Sequence, residues 1–196
     1  MQDYKDKIMC KKLKELDGLN ANAILSSCEV TSYPVDIKAI LKKLGIKYGA
    51  MDFTDIEERI PNVIKNRGSI LGAVTIVDDD VNIFYSQDST ENRIRFTLAH
   101  ELAHCCLNAP ALRNKGHIEF RHDGRTSSPT EVAANIFAGQ ILIPKSQLLK
   151  LYSELIAPIS DVMAQEFQVS TAVMEARLKY LNLDYYSLNA ANKQGD

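Results

Sequence analysis

The sequence has no excess of charge of either sign. Its 23 basic and 25 acidic side chains leave a formal net charge of −2, so no global field favours nucleic acid or an anionic membrane surface. No stretch approaches the ~18 consecutive apolar residues that a membrane-spanning helix needs. The opening residues, MQDYKDKIMCKKLKEL, mix charges where a signal peptide carries an apolar core. Cysteine is scarce as well. The four at positions 10, 28, 105 and 106 are too few and too irregular for a disulfide framework, and adjacent Cys105 and Cys106 cannot easily bridge each other. These shortages together predict a cytoplasmic protein with reduced thiols. Apolar content, by contrast, is ample: 45% of 196 residues can bury a substantial core as one domain with at most a small appendage.

Along the chain, Ile8, Met9, Leu13 and Leu16 fall at helical spacing among lysines, which predicts a solvated amphipathic helix over 5–17. TSYPVDIKAILKKLGI offers helix-starting residues at Tyr33, Pro34 and Asp36, apolar positions at Ile37, Ile40, Leu41 and Leu44, and Gly45 as a stop. SILGAVTIVDDDVNIFYS turns to β-branched residues around the acidic turn Asp78 to Asp80, predicting antiparallel strands at about 70–77 and 81–85. Helical spacing returns from Asn92 through Ile94, Phe96, Leu98, Leu102 and Leu107, with Asn108 and Pro110 ending the run.

That helix carries RFTLAHELAHCCLN. His100 and His104 are four residues apart, about 40° around the axis and one turn along it, so both imidazoles can face one point. This is the geometry of a zinc pair. Glu101, roughly 100° from His100, cannot easily join the same tetrahedron but can reach a water held by the metal, the position of a general base. Catalytic zinc commonly takes three protein ligands and leaves a fourth position for water, so a third ligand must come from elsewhere. The candidates are His117, Glu119, His122, Asp123 and Glu131. Only Glu131 opens a strongly predicted helix, SPTEVAANIFAGQILIP, with Ser and Thr caps, Pro129 near its start and Pro144 beyond its end. Val132, Ile136, Phe137 and Ile141 would pack that helix on the core. His117 and His122 lie in NKGHIEFRHDGRTSS, which reads as an exposed loop. Glu131 is therefore the favoured third ligand. An oxyanion-stabilising donor is expected too, with Tyr85, His117, His122 and Arg125 all left open.

RIRFTLAHELAH followed by EVAANIFAGQILIP resembles the ImmA/IrrE family of bacterial and phage metallopeptidases, over about residues 70–145. In that family the first helix reads approximately R-F-T-x-A-H-E-x-G/A-H and the later one E-x-E-A-N-x-F-A-x-x-L-L-x-P. The resemblance implies His100, His104 and Glu131 as zinc ligands and Glu101 as the catalytic glutamate. Asn135, Phe137, Ala138 and Pro144 match framework positions. Ala133 stands where relatives often carry a second glutamate, which leaves Glu131 without a competing carboxylate. The family implies a site-specific endopeptidase whose substrate is a helix-turn-helix transcriptional repressor, cleaved to release genes after DNA damage, phage attack or mobile-element induction. In such an enzyme zinc polarises the scissile carbonyl and lowers the pKa of its water towards ~7, while Glu101 takes the water's proton. Two histidines and a carboxylate also accommodate Mn²⁺.

ISDVMAQEFQVSTAVMEARLKYLNL sets Val162, Met163, Phe167, Val173, Met174, Leu178 and Leu181 around the break QVS, a helix-turn-helix-like pattern that is frequent in the same family. Asp161, Glu166 and Glu175 against Arg177 and Lys179 make no basic face, so packing or substrate docking is expected rather than direct nucleic acid binding. Cys105 and Cys106 lie about 100° and 200° past His104, pointing away from the metal, and are expected to pack in the core. Cys10 and Cys28 could reach the site only if the N-terminal region folds over it.

The resulting expectation is an α+β protein, helices with an HExxH zinc site on a small mostly antiparallel sheet. It comprises an N-terminal helical extension (1–30), a metallopeptidase core (31–145), a C-terminal helical segment of the same domain (146–182) and a polar tail (183–196). A competing expectation is a regulatory module that sequesters a repressor or antitoxin-like partner without cleaving it.

Overall fold

The structure, a computed structural model, describes residues 12–62, 65, 68–114, 118–122 and 128–188. Its architecture is α+β. Four strands, β1 (Lys47–Met51), β2 (Ile70–Val77), β3 (Asp80–Ser86) and β4 (Ile118–His122), form one sheet in the order β1-β3-β2-β4. β2 pairs antiparallel with both β3 and β4, and β1 runs parallel to β3 along the edge. The expected hairpin is there. Asp78 and Asp79 both take positive φ, 50° and 67°, between the Val77–Asp80 pair. This is the two-residue turn whose twist matches a right-twisted ribbon, and aspartate is one of the few side chains that tolerates it.

Ten helices accompany the sheet among the described residues: α1 (Leu13–Leu16), α2 (Ala21–Ser27), α3 (Ile37–Lys43), α4 (Thr54–Arg59), α5 (Glu91–Leu107), α6 (Ala109–Asn114), α7 (Pro129–Leu142), α8 (Lys145–Glu154), α9 (Ser160–Phe167) and α10 (Thr171–Tyr180). α3 shows how local chemistry fixes an element's ends. Asp36 accepts a hydrogen bond from Ala39 N at 3.0 Å as its N-cap. Gly45, at φ 72°, lets Ile46 N reach Leu41 O and its own N reach Lys42 O, the paired bonds that close a helix on a left-handed residue. Tyr33 and Pro34, expected as part of this helix start, lie ahead of the cap instead, and the Tyr33 ring stacks on Phe167 at 4.4 Å.

A main core joins the terminal helices to α5 and α7, and Phe53, Ile70 and Ala73 form a second, smaller cluster. Leu13, Leu16, Ile24, Ile40 and Leu44 from the N-terminal helices join Leu98 and Leu102 of α5, Phe137 and Ile141 of α7, and Phe167 and Leu178 of the C-terminal pair in a single buried cluster. The helix expected over 5–17 is described only as Leu13–Leu16, and its earlier part, with Cys10, lies outside the described residues.

Three further expectations need correction. The segment read as an exposed loop contains β4, a short edge strand hydrogen-bonded to β2; alternation in IEFRH was masked by its charged and glycine-containing flanks. Pro110 does not end helical structure, because a further short helix, α6, starts at Ala109. Val132 is 47% exposed and is not part of the packed stripe of α7. That stripe is Ala134, Phe137, Ala138, Ile141 and Leu142, and its two alanines let α7 approach α5 closely.

Candidate metal centre

α5 is buried around nearly its whole circumference, so the polar residues of its middle turns are withdrawn from water along with Leu98, Ala99, Leu102 and Ala103. His100 and Glu101 are each 1% exposed and His104 is 4% exposed. α7 lies across it. Ser128 Oγ accepts from Glu131 N at 3.3 Å, capping α7 with Glu131 in its first turn, where the positive end of the helix dipole favours a carboxylate.

These two helices bring three donors to one point. His100 Nε2 and His104 Nε2 are 2.9 Å apart, and the two oxygens of Glu131 stand 3.2 Å and 3.1 Å from them. Hydrogen bonds to His100 and then His104 hold the Glu131 carboxyl well below the usual carboxylate range, against the opposing effect of part-burial. The donor set fits a divalent transition-metal ion. Tetrahedral zinc at about 2.0–2.1 Å from each ligand sets neighbouring donors roughly 3.3 Å apart. The three residues form a potential metal cluster with two buried imidazoles and a carboxylate partly open to solvent.

Outer contacts orient the imidazoles. His100 Nδ1 lies 3.0 Å from Asn135 Oδ1, one turn beyond Glu131 on α7, so the amide oxygen takes the Nδ1 proton and leaves the Nε2 lone pair on the cluster. The Asn108 amide stands 3.1 Å from His104 Nδ1 and fixes that ring from the end of α5. The atom that faces the ring is Asn108 Nδ2; only with the amide rotated end for end would Oδ1 accept from Nδ1–H and free His104 Nε2.

Glu101 faces the sheet, at a place where a side chain is missing from β2. A Cβ built on Gly72 would lie 3.3 Å from Glu101 Oε1 and 2.5 Å from Thr97 Cγ2. Among the remaining sequence candidates, Tyr85 alone has a described side chain. Glu119 and His122 contribute backbone to β4, Tyr85 is half-buried on β3, and His117, Asp123 and Arg125 lie outside the described residues. Cys28, Cys105 and Cys106 are buried thiols outside any disulfide, and burial pushes Cys106 up to about 12.

Asn108 and Gly72 escaped the sequence reading, though each left a signal. Asn108 sits four residues past His104, on the same helical face. An isolated glycine inside a β-branched run is a mark of close backbone approach.

A mixed sheet covered by a helix whose paired histidines meet a glutamate from a second helix defines a metallopeptidase-like domain. Residues 71–179 match peptidase family M78, described as the IrrE N-terminal-like domain, over just more than half of the chain, and the chain belongs to that family. Searches of curated proteins and of solved structures each find no significant match. The family carries a metallopeptidase-like function, and with it a protein substrate and a bound metal ion. Among the described residues no helix is long and apolar enough to cross a membrane.

Proposed function

We propose that the protein is a zinc-dependent, site-specific endopeptidase whose substrate is a helix-turn-helix transcriptional repressor. The observation that carries the reading is the convergence of His100 Nε2, His104 Nε2 and the Glu131 carboxylate within about a hydrogen bond's length of one another in a chain of the M78 family. His100, His104 and Glu131 would hold the ion, with zinc preferred for two imidazoles and a carboxylate and Mn²⁺ admitted by the same set. The bound ion supplies Lewis acidity to the scissile carbonyl and acidifies a water. Asn135 and Asn108 keep both imidazoles in register. Glu101 acts as the general base, taking the proton of the attacking water and delivering it to the leaving amine. Its burial against β2 excludes competing water and restricts its rotamers. The repressor as substrate is carried by the family resemblance of RIRFTLAHELAH and EVAANIFAGQILIP, and cleavage would release the genes it represses.

The test is incubation of metal-loaded wild type and Glu101→Gln with the product of the neighbouring repressor gene, with and without a chelator. Cleavage by wild type alone, abolished by chelation, with metal content retained in the variant, is expected. Equal cleavage by both proteins refutes Glu101 as base. Tight binding without cleavage in every condition would instead establish partner sequestration.

A further inference from the structure

A cavity of about 350 Å³ opens beside the metal cluster, between α5, α7 and α10. Its walls include Phe96, Val132, Asn135, Ile136, Arg177 and Tyr180. Asn135 links it to the cluster, since the residue that lines the cavity also meets His100 Nδ1 at 3.0 Å. The Phe96 ring lies 6.2 Å from that of His100, one helical turn away. Most of the lining is apolar; Asn135, Arg177 and Tyr180 are the polar residues, and Arg177 carries the charge. It is 6% exposed, its Nε donates to Ile143 O at 3.1 Å, and its Cζ lies 5.5 Å from the Tyr180 ring centroid. No carboxylate pairs with it among the described residues, and burial presses its pKa below the ordinary guanidinium value.

An arginine has five N–H donors, and burying them without acceptors is costly. Peptide side chains that fill such a cavity must therefore combine apolar bulk for the walls with an oxygen acceptor for the guanidinium. We propose that this cavity is the subsite for a substrate side chain flanking the cleaved bond, selecting an apolar stem or ring that ends in an oxygen acceptor, as in glutamate or tyrosine. The proposal rests on the metallopeptidase reading and adds to it the side-chain class and the residue that reads it. α10 thereby serves the peptidase as the far wall of the subsite.

Three metal-chelating probes separate the two readings: acetohydroxamate, 3-phenylpropanohydroxamate and 3-(4-carboxyphenyl)propanohydroxamate. Each is titrated calorimetrically into metal-loaded wild type, Ala176→Phe and Arg177→Met. Ala176 lines the cavity from an exposed position on α10, so phenylalanine there fills the space without entering the core. In wild type the phenyl group should tighten binding about tenfold or more over acetohydroxamate, and the carboxylate about tenfold again. Ala176→Phe should abolish both gains and leave acetohydroxamate unchanged. Arg177→Met should abolish only the second. A phenyl gain absent from wild type, or surviving Ala176→Phe, overturns the subsite. A carboxylate gain that is absent or survives Arg177→Met overturns the assignment of Arg177. If acetohydroxamate fails to bind the metal-loaded protein, the metallopeptidase reading falls, and the subsite with it.

Discussion

Replacing Gly72 by alanine perturbs the place where helix and sheet come closest around Glu101. The new Cβ would lie 2.5 Å from Thr97 Cγ2, 3.1 Å from Phe84 O and 3.3 Å from Glu101 Oε1. Carbon atoms rest at about 3.5–4.0 Å, so α5 and β2 must part by roughly 1 Å at Thr97. The Phe84 carbonyl is backbone of the neighbouring strand and cannot rotate out of the way. Overpacking of this kind costs about 1–3 kcal/mol of stability. A misplacement of about 1 Å at a reacting group costs on the order of 100-fold in rate. Gly72→Ala should therefore melt at a lower temperature and cleave a protein substrate about two orders of magnitude more slowly. The companion change is Thr97→Ser, which deletes the clashing methyl and keeps the hydroxyl. In a double-mutant cycle read by thermal unfolding and by kcat/KM, Gly72→Ala should cost much less in the Thr97→Ser background than alone. A Gly72→Ala protein with wild-type stability and rate, or a double variant showing the full sum of both losses, would refute the close-approach account.

Asn135→Leu removes the acceptor for His100 Nδ1 and should weaken metal binding by about 10–100-fold without unfolding the protein. Competition with a chromogenic chelator measures it, and unchanged affinity would mean that Asn135 does not set the tautomer. The thiols of Cys28, Cys105 and Cys106 are buried, and that of Cys106 is displaced far upward by burial. Because the thiolate is the reactive form, iodoacetamide at mildly alkaline pH should modify Cys106 only after denaturation. Peptide mapping by mass spectrometry checks this, and rapid labelling of Cys106 in the native protein would contradict the packing.

Sequence periodicity made α5 and α7 legible because their signals are strong and local. The i, i+4 histidine pair needs nothing beyond helix geometry, and Ser128 with Pro129 marks the start of α7 just ahead of Glu131. The hairpin was legible for the same reason, as two β-branched runs around an acidic turn. β1 was not. KYGAM has no apolar alternation, since the strand lies on a sheet edge and buries no complete face. α2, at seven residues, is too short to show a period, and its reason to exist is the buried triplet Ala21, Ile24 and Leu25 against the core. Val132 failed as a core position because a helix between a neighbour and a cavity spends part of its apolar surface on the cavity wall.

Two buried arginines tie the C-terminal pair, despite its helix-turn-helix-like pattern, to α5 and α7. Arg95 of α5 donates through Nε to Gln168 O at 3.1 Å and through Nη2 to Phe167 O at 3.3 Å, at the closing turn of α9. Arg177 of α10 donates to Ile143 O, just past the end of α7. Both cations thus meet carbonyls left unsatisfied at helix C-termini, where the dipole is negative, and each offsets part of its desolvation there. One tie runs from the histidine-bearing helix to α9, the other from α10 back to the glutamate-bearing helix. Together they fix the C-terminal pair on the two helices that hold the cluster. They also withdraw Arg177 from the charge that α10 can present to solvent, leaving Lys179 as the other basic side chain of that helix. A guanidinium buried in this way cannot neutralise a phosphate on a nucleic acid surface, but it is in place to meet an acceptor that enters the cavity beside His100.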